Sequence, residues 1–220
     1  MYYLPRTTRL HGDREDINLK DIYDTEHLTM DTISSCTVLG IDPGITTTGW
    51  SIGKYNLKTN LLKIVAMGTI QATAKAKKDH KEDYKKYSNI ISLVMYEEEM
   101  RRLMTTYMPD YIVSEDAFYN PKMPSAYLSL KLCIHTLQKL LYKEYSKLLY
   151  LIPPKSAKQC IYGHGTANKE AIQEAVFTHE DIRFSCIKKQ QLAKMVEHEA
   201  DSIAINYTFC KTILPTLLIS

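Results

Sequence analysis

Cys36-Thr-Val-Leu-Gly-Ile-Asp42-Pro-Gly44 sets six apolar, β-branched or small residues in front of an acid and a tight turn. Such a run reads as a buried strand ending at Asp42, and Pro43-Gly44 is a turn signal. An acid at that place presents its carboxylate at the edge of a sheet, where a ligand can approach. A turn aspartate that caps its own backbone gives the same local sequence, so Asp42 needs partners from elsewhere in the chain.

Working outward, Thr46 to Tyr55 reads as a second strand and Leu61 to Ile70 as a third. Links this short predict an antiparallel meander. Leu93, Tyr96, Met100, Leu103 and Tyr107 recur at three and four residues and make one apolar helix face, which Pro109-Asp110 ends. Tyr111-Ile-Val-Ser114 is a short strand delivering Glu115. Residues 125–147 read as a helix with the stripe Leu130, Ile134, Leu137 and Leu141. Leu148 to Ile152 is a fifth strand stopped by Pro153-Pro154, and helices follow over 155–162, 169–178 and 195–211. The order βββαβαβ followed by helices predicts an α/β fold of RNase H-like type, a mixed five-stranded sheet flanked by helices.

Residues 36–211 form the predicted domain, 1–35 an extension and 212–220 a tail. The extension holds four Lys/Arg against seven acids, which leaves 24 basic and 18 acidic residues beyond it. A moderately basic body is compatible with a polyanion and does not require one. Residues 71–86 carry six lysines among three acids and read as a solvated loop and helix start, with DNA contact as the alternative. Five scattered cysteines without a CxxC pair argue against a disulfide framework or a zinc site, and point to a reducing, cytoplasmic setting. No run of about 18 apolar residues predicts a membrane span, and Met1 to Gly12 has no apolar core of a secretory signal.

Two further acidic segments could partner Asp42. In Tyr111-Ile-Val-Ser-Glu-Asp116, strand alternation sends Glu115 and Asp116 to opposite sides, so only one can face Asp42. Counting back, Glu115 shares a side with Val113 and Tyr111. Glu197-His-Glu-Ala-Asp201 opens a helix, and His198 and Asp201, three apart, lie on one face as a shared metal would need. Glu197, four from Asp201, could take the place of His198. A solvated acidic first turn favoured by the helix dipole is the plain alternative. Taken together, a carboxylate-rich set with few nitrogens suits Mg²⁺ or Mn²⁺ better than zinc.

Four motifs in order resemble the RuvC-like Holliday junction resolvases of bacteria and phages, over roughly residues 36–211. They are Leu39-Gly-Ile-Asp-Pro-Gly44 with Thr48-Gly49, Pro109 to Glu115, Pro154-Lys-Ser-Ala-Lys158 through Gly163-His-Gly-Thr-Ala-Asn-Lys169, and Glu199-Ala-Asp-Ser-Ile-Ala204. The resemblance implies an endonuclease that cuts branched DNA by paired symmetric phosphodiester hydrolysis at a two-metal Mg²⁺ or Mn²⁺ site. Asp42, Glu115, His198 and Asp201 would be its metal ligands. His198 falls where many members carry a further aspartate, a change that shifts the expected preference toward Mn²⁺. Lys169 would act in catalysis, while Lys155, Lys158 and Lys169 would meet the DNA backbone and Phe118 would stack on unpaired bases. Asn168 also fits as a plain helix cap. A homodimer is implied, with the helix carrying Leu130 to Leu141 at the pairing face, although that stripe also reads as core. The extension and the lysine-rich stretch lie outside the family pattern.

Gly40 to Gly49 also resembles the phosphate-binding turn of actin-like ATPases, but those need two such domains, and 220 residues are too few. A non-cleaving junction binder would gain from losing carboxylates that repel phosphate. An RNA-processing nuclease of the same fold stays open from sequence.

Overall fold

The computed structural model describes residues 35–186 and 195–219. The expected extension, Ser35 apart, lies outside the described residues. Strands β1 (Ser35–Asp42), β2 (Thr48–Asn56) and β3 (Leu61–Ile70) form the antiparallel meander. Helices α1 (Ala72–Asp79) and α2 (Lys81–Tyr107) lead to β4 (Tyr111–Glu115), and α3 (Pro124–Tyr145) leads to β5 (Leu149–Ile152). There follow α4 (Pro154–Tyr162), α5 (Lys169–Thr178), β6 (Ile182–Phe184), α6 (Glu197–Thr212) and the single turn α7 (Leu214–Leu217).

The strands order as β5-β4-β1-β2-β3-β6, with β4 and β5 parallel to β1, and β6 parallel to β3. The expected mixed sheet flanked by helices is present, but it has six strands rather than five. β6 holds three residues, too few for a periodic signal. Its place is fixed from outside, by bonds such as Leu62 N–H to the Asp181 carbonyl at 2.9 Å and Ser185 N–H to Ile64 at 3.0 Å.

Alternation along β1 divides the core. Val38 joins one cluster with α4, α5 and α6, whereas Leu39 and Ile41 join another with α1, α2 and α3. The sheet is thus covered on both faces. α6 is buried over nearly its whole length because it lies between β1/β2 and the helices α4 and α5. The stripe on α3 follows its core reading: Ile134, Leu137 and Leu141 are buried, and Leu130 is half-buried. One further expectation needs correction. The lysine-rich stretch is no loop: α1 sinks Ala72 and Ala76 into the core and keeps its lysines outside. Beyond residue 211, Leu214 is also buried.

Candidate active site

The even-numbered positions of β1 face α6, so alternation aims Asp42 at the start of that helix. On β4, Tyr111 and Val113 face the same cluster, which puts Glu115 on that side too. β1 and β4 pair up to Ile41↔Ser114, and Asp42 and Glu115 stand one step beyond. Asp116 turns the other way and binds Lys131 on α3 at 3.0 Å. The two strand-end acids therefore meet on one face by register alone.

α6 supplies the third side. A side chain at Gly49 would run into the carbonyl of His198, and one at Gly40 into that of Ser202. These glycines let the helix backbone lie directly on the sheet. Buried Asn206 pins it there, its amide donating to the Val38 carbonyl at 3.0 Å and to Ser51 at 3.4 Å. The Val196 N–H donates to the Glu199 carboxylate at 2.9 Å, which occupies Glu199 as part of the helix cap. His198 and Asp201 then face the strand ends.

His198 Nδ1 lies 2.6 Å from the carboxylate of Asp42, a buried residue only 9% exposed. That hydrogen bond holds the imidazole above its ordinary pKa. Burial, followed by repulsion from Asp42 and Asp201, pushes Glu115 up to about 8. Burial, then Asp42 and Glu197, raises Asp201 to about 6. The Lys158 ammonium offsets part of both. Burial holds all three carboxylates above their ordinary range, and Asp42 adds repulsion at the other two, so the cleft favours a bound proton or cation. The donor chemistry, oxygens plus one imidazole, fits Mg²⁺ or Mn²⁺. Among the described residues no three donors already stand in a ready coordination arrangement, and Asp42 and His198 face each other as hydrogen-bond partners.

Around the acids, Lys169 pairs with Glu197 at 2.5 Å, so Glu197 is engaged by the lysine while His198 meets Asp42. Lys158 donates to the Ala167 carbonyl at 3.4 Å, and Lys155 is exposed. Asn168 does cap α5, accepting from the Ala171 N–H at 2.9 Å. Phe118, 63% exposed, projects from the loop after β4 beside exposed Tyr119. Sequence reasoning missed Asn206. Its signal was a lone amide inside the apolar run Ile203-Ala-Ile-Asn-Tyr207.

The family model described as Crossover junction endodeoxyribonuclease RuvC matches residues 38–209. The chain belongs to the RuvC family. Among curated relatives, the crossover junction endodeoxyribonuclease RuvC of Finegoldia magna is 28% identical over 168 residues, 76% of this chain and 88% of that one. The fold is similar to that of T. thermophilus RuvC in complex with Holliday junction substrate, with TM-score 0.58 at 19% identity over 79% of this chain and 92% of that one. It is also similar to the yeast mitochondrial Holliday junction resolvase Ydc2, with TM-score 0.52 at 18% identity over 79% and 77%. Within the RuvC family the protein is a crossover junction endodeoxyribonuclease. No helix among the described residues is long and apolar enough to cross a membrane.

Proposed function

We propose that this RuvC-family protein cuts four-way DNA junctions by metal-dependent, paired symmetric hydrolysis of phosphodiesters. The observation that carries the reading is the meeting of Asp42, Glu115, His198 and Asp201, from three distant segments, at one sheet edge. These four side chains would hold Mg²⁺ or Mn²⁺. Two such ions, when bound, activate a water and stabilise the leaving oxygen.

The rest falls to the chain's own groups. Lys158 and Lys169 bring positive charge to the cleft, where it would steady the scissile phosphate. Lys169 is tied to Glu197 in the free protein, and a phosphate oxygen would compete for its ammonium. Lys155 would meet the backbone, and exposed Phe118 would stack on bases unpaired at the crossover. The described residues of one chain hold one such cluster, so two symmetric cuts call for two copies related by a two-fold axis. Apolar side chains left outside the core, Tyr87, Ile90 and Val94 on α2 with Leu128 and Leu132 on α3, would meet across that axis.

A panel of four-way junction, flap, duplex and RNA hairpin, each with Mg²⁺ and with Mn²⁺, tests the reading. Paired nicks at symmetric positions of the four-way junction, absent with EDTA, are expected. Preferred cutting of the RNA hairpin would overturn it.

A further inference from the structure

At the edge where the acids gather, the sheet can be read strand by strand. β1 and β3 run in the same direction, and the registers Asp42↔Gly49 and Gly49↔Thr69 set Thr69 two strands from Asp42. At one strand spacing each, that is about 10 Å. β3 ends at Ile70, and α1 leaves from this same edge. The Thr73 hydroxyl donates to the Ile45 carbonyl at 3.0 Å, which ties α1 to the loop that follows Asp42.

With Ala72 and Ala76 turned inward, α1 and the start of α2 hold exposed Lys77, Lys78, Lys81, Lys85 and Lys86 outward. Lys75 is taken by Glu99 at 2.8 Å and Lys85 by Glu82 at 3.1 Å. Lys77 lies over the Tyr84 ring, and neither Lys78 nor Lys81 has an acid partner among the described residues. On the opposite flank, β5 ends beside Glu115, and α4 and α5 carry Lys155, Lys158 and Lys169. Along one edge the charges therefore run cations, acids, cations. A centre of acids alone repels phosphate; cations on both sides let a polyanion span it.

We propose that the hairpin of α1 and the start of α2, residues 72–86, is a second backbone-binding surface that grips the phosphates of a DNA arm leaving the active site. The proposal rests on the nuclease reading above. Its contacts would be to phosphates rather than bases, so it adds affinity without sequence preference. α1 is about 12 Å long, enough to follow a strand over several phosphates.

The test measures binding of a labelled four-way junction in EDTA from about 50 to about 200 mM salt, where each phosphate contact contributes a slope of about 0.9. The triple variant Lys77→Gln, Lys78→Gln, Lys81→Gln should lower the slope by about 2 to 3. Its rate of cutting at saturating protein should match wild type. The corresponding three arginine substitutions should restore the slope. A second triple variant, Lys54→Gln, Lys58→Gln, Lys63→Gln, removes the same charge at the far edge of the sheet and should leave the slope unchanged. An unchanged slope in the first triple variant, or an equal loss in both, would overturn the clamp. Wild-type protein that neither binds nor cuts the junction would remove the nuclease reading itself. That is a different result from a wild type that does both beside an unaltered first variant.

Discussion

Gly49 works by lacking a side chain: the His198 carbonyl occupies the space where its Cβ would be. Gly49→Ala must push the start of α6 off the sheet, and His198 and Asp201 with it. We expect cleavage to fall at least tenfold with junction binding largely kept. A variant with wild-type rates would mean that α6 tolerates the shift. The acids make a second prediction. Glu115 at about 8 and Asp201 at about 6 hold protons more tightly folded than unfolded. Metal-free protein should therefore lose stability as pH rises from the ordinary carboxylate range, about 4.5, to about 8. Mn²⁺ should raise the melting temperature more at about pH 8 than at about pH 5, and Glu115→Gln should flatten the metal-free profile. Parallel melting curves with and without EDTA would contradict a cation site.

At the scale of elements, β1, β3 and the strand carrying Glu115 were legible because a long apolar run, or a short one between breakers, states its own period. β6 was not: Ile182–Phe184 becomes a strand through the backbone of β3 rather than through its own pattern. α1 was masked by its lysines, since only Ala72 and Ala76 record its buried side. The acids and His198 could be placed on a common face by counting, yet the pin that seats their helix could not, because Asn206 finds its acceptors 168 and 155 residues away. Asn206→Leu leaves the Val38 carbonyl without that donor and should cost about 1–3 kcal/mol in urea unfolding. Tyr96 should behave in the opposite way. Its buried hydroxyl has no partner among the described residues, so Tyr96→Phe should be neutral or stabilise by up to about 1 kcal/mol. A large loss there would reveal a partner for the hydroxyl.

At the scale of the molecule, a sheet covered on both faces leaves its β1/β4 edge free to gather acids, with basic helices on either flank. The proposed paired cuts would require two such edges. Ile90→Glu with Leu128→Glu should turn a dimer into a monomer in sedimentation and leave single, unpaired nicks. A variant that stays dimeric would place the interface elsewhere. The most direct measurement is on Asp42→Asn with a four-way junction, following cleavage and binding side by side in Mn²⁺. Asparagine keeps the shape and removes the charge on which the proposed cation site would depend. The expected result is cleavage lost by several orders of magnitude with binding equal to wild type or tighter, since one carboxylate no longer repels phosphate. Cleavage at the wild-type rate would contradict the account.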